Sequence, residues 1–317
     1  MNICRRPRST RAVAGILALG LASLTACSST GTADGRKDGT LNVVASFYPM
    51  EYLAERIGGD HVTVTGLTKP GVEPHDLEIN PRQTAALAEA DAVVYLKNLQ
   101  PAVDEAVIQS GTTSAVDAGS FTEQDTHGGE GDGHGHGAEE HGEGVADPHI
   151  WLDPVKYAEA ARGVGKALEK ADPDHASGYR KNTDALVGDL RALDDEFESG
   201  LRNRRTDTFV TTHSAFGHLA ERYGLKQEAV SGLDPEAEPS PARIRSLHAI
   251  VKKERISTVF FETLVSSRTA RTLAGDTGMR TDVLDPLEGI TDKSRGGDYL
   301  EVMRANLKAL QKALGAA

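Results

Sequence analysis

Strand-like and helix-like segments alternate from Leu41 to the end of the chain, and that alternation restricts the fold to parallel sheets with helices on their faces. Leu41 to Phe47 is apolar and β-branched and stops before Pro49; Met50 to Ile57 is helix-like and ends at Gly58-Gly59. His61 to Leu67 alternates valine and threonine, the mark of a strand with one buried face. Asn80-Pro81 supplies an N-cap and a first-turn proline for a helix that leads into the strand Ala92 to Leu96, and Asp153-Pro154 repeats the signal. Asp172-Pro173-Asp174 then opens a longer helix. Tyr179, Leu186, Leu190, Leu193, Phe197 and Leu201 recur on one face of it, predicting roughly 30 residues and about 40 Å. Beyond it the alternation resumes, with strands over 208–212, 225–230, 257–261 and 282–284. Helices are predicted over 214–223, from Ser240-Pro241 to Lys253 and over 300–314. A long helix between two halves of similar grammar reads as a strut joining two α/β lobes. The plainer alternative is a long helix lying on one large domain.

The N-terminal segment bears on compartment. Arg5, Arg6, Arg8 and Arg11 precede an apolar run, Ala12 to Leu24, too short to span a bilayer. The run closes on Leu24-Thr25-Ala26-Cys27, and a cysteine directly after Leu-x-Ala resembles the bacterial lipobox. The expectation is a lipoprotein signal peptide over 1–26, a lipidated Cys27 and a flexible linker over 27–40. The only other cysteine, Cys4, falls in the discarded part, so the mature chain has no disulfide. Losing four arginines and no acids takes the formal charge from −12 to −16. Such an acidic protein suits cations and is a poor partner for nucleic acid. Between Ser120 and Val145 the chain is Gly, Glu, Asp and His with almost nothing apolar, so 120–146 reads as a disordered His-rich loop.

Three histidines stand where strands or short linkers run out: His75 in Gly71 to Asp76, His149 in Asp147 to Trp151, and His213 after Thr211-Thr212. Ligands of open α/β sheets bind at the carboxyl ends of strands. Pro74 and Pro148 each restrain the backbone just before a histidine, which lowers the ordering cost of binding a metal. A carboxylate to complete such a set lies in Leu284-Asp285-Pro286-Leu287-Glu288, where Asp285 and Glu288 are both candidates. His61, His175, His218 and His248 read as surface or structural residues, with His218 facing away from the site.

At these residues the chain resembles the metal-binding solute receptors of ABC transporters, the zinc and manganese group. Phe47-Tyr48-Pro49, Ile57 to Asp60, Gly71 to Asp76, Asp147 to Pro154, Thr212 to Phe216, Pro235 to Ser240, Asp285 to Glu288 and Gly297-Asp298-Tyr299 carry the resemblance in order. It implies two α/β lobes, each with a mainly parallel sheet flanked by helices, joined by one long rigid helix with the metal in the cleft. The N-terminal lobe would cover 41–172, the linking helix 173–203 and the C-terminal lobe 204–317. The resemblance carries the ligand role onto His75, His149 and His213. It favours Glu288 as the fourth, with Asp285 second because manganese-type relatives use an aspartate there.

Manganese-type receptors carry a glutamate at the position of His213; three imidazoles and one carboxylate suit Zn2+ instead. Zinc-type relatives often carry a His-rich loop, so His127, His134, His136 and His141 form an expected auxiliary zinc-collecting element. The implied protein is no enzyme. It is a monomeric, extracytoplasmic zinc receptor, lipid-anchored at Cys27, that delivers Zn2+ to an ABC permease driven by a separate ATPase subunit. The alternatives are a manganese or other divalent-metal receptor, a zinc hydrolase with water in the fourth position, and a surface adhesin or metal buffer.

Overall fold

The computed structural model describes residues 39–123, 125 and 146–316. Cys27, the expected leader and the loop residues His127, His134, His136 and His141 lie outside them. The first half runs β1 (Leu41–Ala45), α1 (Tyr48–Gly58), β2 (Val62–Gly66), α2 (Pro81–Glu89), β3 (Ala92–Tyr95), α3 (Pro101–Ser110) and β4 (Ala115–Asp117). Two long helices follow, α4 (Pro154–Ala171) and α5 (Ala176–Gly200), separated by a single 3-10 turn at Pro173–His175. The second half runs β5 (Thr208–Thr211), α6 (Gly217–Arg222), β6 (Lys226–Ala229), α7 (Pro241–Glu254), β7 (Thr258–Phe261), α8 (Arg268–Thr277), β8 (Arg280–Val283) and α9 (Tyr299–Leu314).

Both sheets are four-stranded and wholly parallel, ordered β2-β1-β3-β4 and β6-β5-β7-β8. In each, the first strand sits between the second and the third, so the chain reverses its direction of travel at β1/β3 and at β5/β7. That reversal leaves a crevice at the strands' carboxyl ends, where ligands of such sheets bind. Strands covered on both faces must be apolar on both. Val43 and Ala45 accordingly enter one core while Val44 enters another, against α2 and α3. In the second sheet Phe209 and Phe260 point inward, and Val210 and Val259 pack outward on α7 and α8.

The inner core is continuous through both halves. It joins Met50, Leu53 and Ile57 of α1 and Tyr157 and Leu168 of α4 to Leu186, Leu190, Leu193 and Phe197 of α5. Met303, Leu307 and Leu310 of α9 extend it into the second half. α5 is 25 residues long, about 37 Å. It leans on α1 and α4 along the first half and on α9 in the second. Arg304 of α9 forks onto Glu196 of α5 at 2.9–3.1 Å. Among the described residues no helix is long and apolar enough to cross a membrane.

The capping signals act locally as expected. Asn80 accepts from the N–H groups of Arg82 and Gln83, and Gln83 returns a bond to the Asn80 backbone, a full capping box. Asp153 caps α4 through Val155 and Lys156. The long helix begins at Ala176 and ends at Gly200, inside its predicted span. Three elements escape the sequence pattern. α3 carries Ile108, 80% exposed, on what should be a polar face. α8 buries only Ala270, Leu273 and Ala274, and β4 is three residues long.

α4 and α5 approach closely because Gly165 faces Thr183. A Cβ at Gly165 would stand 2.3 Å from the Thr183 hydroxyl, whereas one at Gly188, on the exposed face of α5, meets nothing within 4 Å. Gly165→Ala should therefore destabilise by about 1–3 kcal/mol through overpacking. Gly188→Ala should stabilise by about 0.5–1 kcal/mol through helix propensity. Urea unfolding followed by circular dichroism checks both signs.

Candidate metal centre

Three loops that follow strand ends, after β2, β5 and β8, and the turn that leads into α4 converge on one point. His75 lies in the loop after β2, where Gly71 turns with a φ of +81°. The carboxylate of Glu73 accepts from the backbone N–H of His75 at 3.0 Å and of Asp76 at 3.3 Å. Gln100, buried at the start of α3, donates to the Pro74 carbonyl at 3.1 Å. His149 stands at the entry of a 3-10 turn, Ile150–Leu152. One oxygen of Asp147 accepts from both its backbone N–H, at 3.0 Å, and its ring Nδ1, at 2.7 Å. His213 follows β5 by two residues, and its Nδ1 meets Glu262 Oε1 at 2.5 Å. The Thr212 hydroxyl donates to that same oxygen at 2.6 Å. Glu262 is the first residue after β7, so the pair spans the β5/β7 reversal.

Glu288 comes from a tightly fastened loop after β8. The Asp285 carboxylate accepts from the Leu287 N–H at 2.9 Å and the Thr263 hydroxyl at 3.1 Å. Asn306 of α9 bonds both the N–H and the carbonyl of Asp285. Leu287, fully buried, takes a φ of +59°, which turns the next side chain inward. From the first half, Trp151 Nε1 donates to the Pro286 carbonyl at 2.7 Å, and the Trp151 carbonyl accepts from the Tyr299 hydroxyl at 2.6 Å. The segment that delivers His149 thus also holds the loop that delivers Glu288. Trp151 touches the His149 ring at 5.1 Å between centroids and is wholly buried.

The result is a compact donor set. Nε2 of His75, His149 and His213 lie 3.4, 3.4 and 3.3 Å from Glu288 Oε1. A tetrahedral zinc site with bonds of about 2.0–2.1 Å has ligand–ligand edges of about 3.3–3.4 Å. All three Nε2 atoms and both Glu288 oxygens are buried without a hydrogen-bond partner. Because Nδ1 of His149 and of His213 faces a carboxylate, that nitrogen carries the proton, and a neutral ring presents its Nε2 lone pair to the centre. His149, His213 and Glu288 are essentially sealed, and only the His75 side chain, 11% exposed, opens to solvent.

Asp285 stays outside this set. Its carboxylate is engaged by Thr263 and Leu287, and it is not among the four groups that lie within reach of one ion. His218, read from sequence as a surface or structural residue, is completely buried and hydrogen-bonded to the Asp147 carbonyl at 2.9 Å; it does not join the cleft set. The sequence reading missed Glu262, Gln100 and the partner role of Asp147. A search for carboxylates directly after strands would have found Glu262.

Burial would lower the pKa of His213, but Glu262 and then Glu288 overrule it and hold the imidazole well above its ordinary value. His149 follows the same pattern: burial lowers, Asp147 and Glu288 raise further, and the net shift is upward. Burial alone would raise the Glu288 carboxyl, yet the three imidazoles hold it well below the usual carboxylate range.

A sequence model of the family described as zinc-uptake complex component A, periplasmic, matches residues 43–313. The chain is 38% identical over 304 residues to the zinc-binding lipoprotein AdcA of Streptococcus pneumoniae, covering 91% of this chain but 58% of that protein. It therefore spans little more than half the length of that relative. It is 34% identical to the high-affinity zinc uptake system protein ZnuA of Bacillus subtilis, covering 90% of this chain and 91% of that one. The crystal structure of the Zn(II)-bound ZnuA-like domain of Streptococcus pneumoniae AdcA superposes with a TM-score of 0.73 at 34% identity, over 87% of this chain and 99% of that one.

Proton linkage at these groups makes the stability of the metal-free protein depend on pH. Raised histidines contribute stability that is complete below the unfolded value of about 6.5 and is lost as pH climbs through their folded values. The depressed Glu288 contributes above about 4.5 and loses it as pH falls through its folded value. In chelator, the melting temperature should fall as pH is raised from 6.5 into the alkaline range, and Glu262→Gln should flatten that slope. A melting temperature that rises with pH would contradict the assignment.

Proposed function

The chain belongs to the family of zinc-uptake complex component A proteins, and on that premise we propose that it is a high-affinity zinc receptor that captures Zn2+ between its two halves for import. The observation that carries the reading is the set of three Nε2 atoms at 3.3–3.4 Å from one Glu288 oxygen, all buried and unbonded. His75, His149, His213 and Glu288 are the ligands, and Asp285 keeps the Glu288 loop in shape. Three nitrogens and one oxygen favour zinc over manganese.

Four protein donors close the coordination shell, which suits capture; a hydrolytic site needs an open position for water. We therefore read the protein as a carrier and not as an enzyme. Zn2+ enters past His75, the one ligand in contact with solvent. Asp147 and Glu262 fix the ring orientations and keep Nε2 basic. The halves correspond to lobes over 41–172 and 204–317 with the linking helix over 173–203. Loaded receptor, acting as a monomer, would dock on an ABC permease whose ATPase subunit drives import. Lipidation at Cys27 would hold it on the outer face of the cell membrane, in line with the lipoprotein name of the pneumococcal relative. The histidines at 127, 134, 136 and 141 would collect zinc for the cleft.

Zinc titration by calorimetry, with manganese as competitor, should give one tight site in the full chain. Glu262→Gln should weaken it about 10–100-fold, as loss of an outer carboxylate does. His213→Ala and Glu288→Ala should weaken it more than that, whereas Asp285→Ala should lower the melting temperature and keep a four-ligand site. Retention of tight binding in Glu288→Ala, or a water in the coordination shell by X-ray absorption, would overturn the reading.

Zinc must also displace protons that Glu262, Asp147 and Glu288 hold on the imidazoles. Affinity should therefore climb with pH through 6.5 and continue to climb above it. Calorimetry in buffers of different ionisation enthalpy should register proton release at pH 7. An affinity that is level between pH 6 and 8 would contradict the assigned donors.

A further inference from the structure

His75 reaches the donor set from the stretch between β2 and α2, and its ring is held differently from the other two. Asp147 bonds Nδ1 of His149, and Glu262 bonds Nδ1 of His213. Among the described residues the His75 ring is within ion-pair distance of a carboxylate only at Nε2, that of Glu288. The direction of this ring therefore depends on the backbone that carries it.

That backbone is pinned on both sides of one peptide unit. Glu73 accepts from the His75 N–H at 3.0 Å, and the side-chain amide of Gln100 donates to the Pro74 carbonyl at 3.1 Å. The same amide nitrogen donates to the Thr68 hydroxyl oxygen at 3.1 Å, and the Thr68 hydroxyl donates to the Ser46 carbonyl at 2.8 Å. A carbonyl only accepts, so the Thr68 hydrogen is committed to Ser46 and its lone pairs are left for Gln100. Only the nitrogen end of the amide can satisfy both contacts. Its Oε1 is buried without a partner among the described residues, so the side chain is held through its nitrogen alone. Ser46 follows β1, Thr68 follows β2 and Gln100 precedes α3, so the clamp closes across the β1/β3 reversal. His213 has a similar clamp: Gln227 donates to the Thr211 hydroxyl at 2.7 Å and to the His213 carbonyl at 2.9 Å. There Glu262 orients the ring as well, whereas His75 relies on its backbone.

We infer that Gln100 is a positioning residue for zinc capture: its amide clamps the Pro74 carbonyl so that the His75 ring stands aimed at the other donors before the metal arrives. The inference rests on the reading of His75 as a zinc ligand. A ligand set in advance removes its ordering cost from the binding step. Without the clamp, zinc itself has to order His75.

The test uses the full chain. Gln100→Met keeps the length of the side chain and removes both donors. Gln100→Asn is the second variant. Asn is a favoured N-cap, the place Gln100 occupies before α3, so that helix is kept, while the shorter side chain cannot span both acceptors. Zinc is titrated by calorimetry. Cobalt(II) serves as a spectroscopic probe, because its visible absorption is strong in a four-coordinate site and weak once water raises the coordination number. Both variants should weaken zinc at least about tenfold and lose cobalt absorption. Zinc affinity and cobalt absorption unchanged in Gln100→Asn, even with a lowered melting temperature, would make Gln100 a structural residue only and overturn the inference alone. Lack of tight zinc binding in the unsubstituted chain would overturn the zinc reading and this inference with it.

Discussion

Glu288 is a carboxylate sealed in the interior with, among the described residues, no lysine or arginine paired to it, and the centre of the molecule is organised around that charge. Three imidazoles approach it instead, each by Nε2. A buried carboxylate left alone would cost several kcal/mol. In the metal-free protein His149 and His213, both held above the ordinary imidazole value, offset that charge, and the four donor groups together could hold a divalent ion at the same point. On the proposed reading, proton and metal compete for one cavity.

The compensation comes from both halves at once. His75 and His149 belong to the first, His213 and Glu288 to the second, and the inner core runs unbroken between them. Trp151 makes the connection concrete: its indole holds the Pro286 carbonyl and its own carbonyl is held by Tyr299. Tyr299 in turn packs on Tyr157 at 4.7 Å and Tyr52 at 5.5 Å, from the first half. Wide separation of the halves would break these contacts together with the donor set, so the geometry suits small adjustments near His75 better than a large hinge. Outside the four donor groups, Asp147 and Glu262 determine which nitrogen of the His149 and His213 rings faces inward. The donor chemistry of those two rings is thus decided by residues outside the donor set.

Much of the architecture was legible because it depends on local rules. Apolar runs with Gly and Pro at their ends marked most strands, proline after Asn, Asp or Ser marked the starts of α2, α4 and α7, and a sustained one-face pattern marked α5. The unread elements share a cause: α3, α8 and β4 are short or carry too few apolar residues in phase, and they become stable by docking on elements distant in sequence. The same limit applied at the site. Strand-end histidines stood out one by one, but nothing in the spacing of His75, His149 and His213 says that they meet.

The sequence by itself determined the parallel α/β class, the long mid-chain helix, and the residue types available at the strand ends, since periodicity, capping and turn chemistry act over a few residues. Only the tertiary structure decided that Glu288 turns inward while Asp285 braces its loop. The same holds for Glu262 behind His213 and for the burial of His218 beneath Asp147. Those outcomes rest on contacts across 21 to 71 residues of chain. They are selected by burial, because a polar group taken out of water must find its partner wherever the fold happens to supply one.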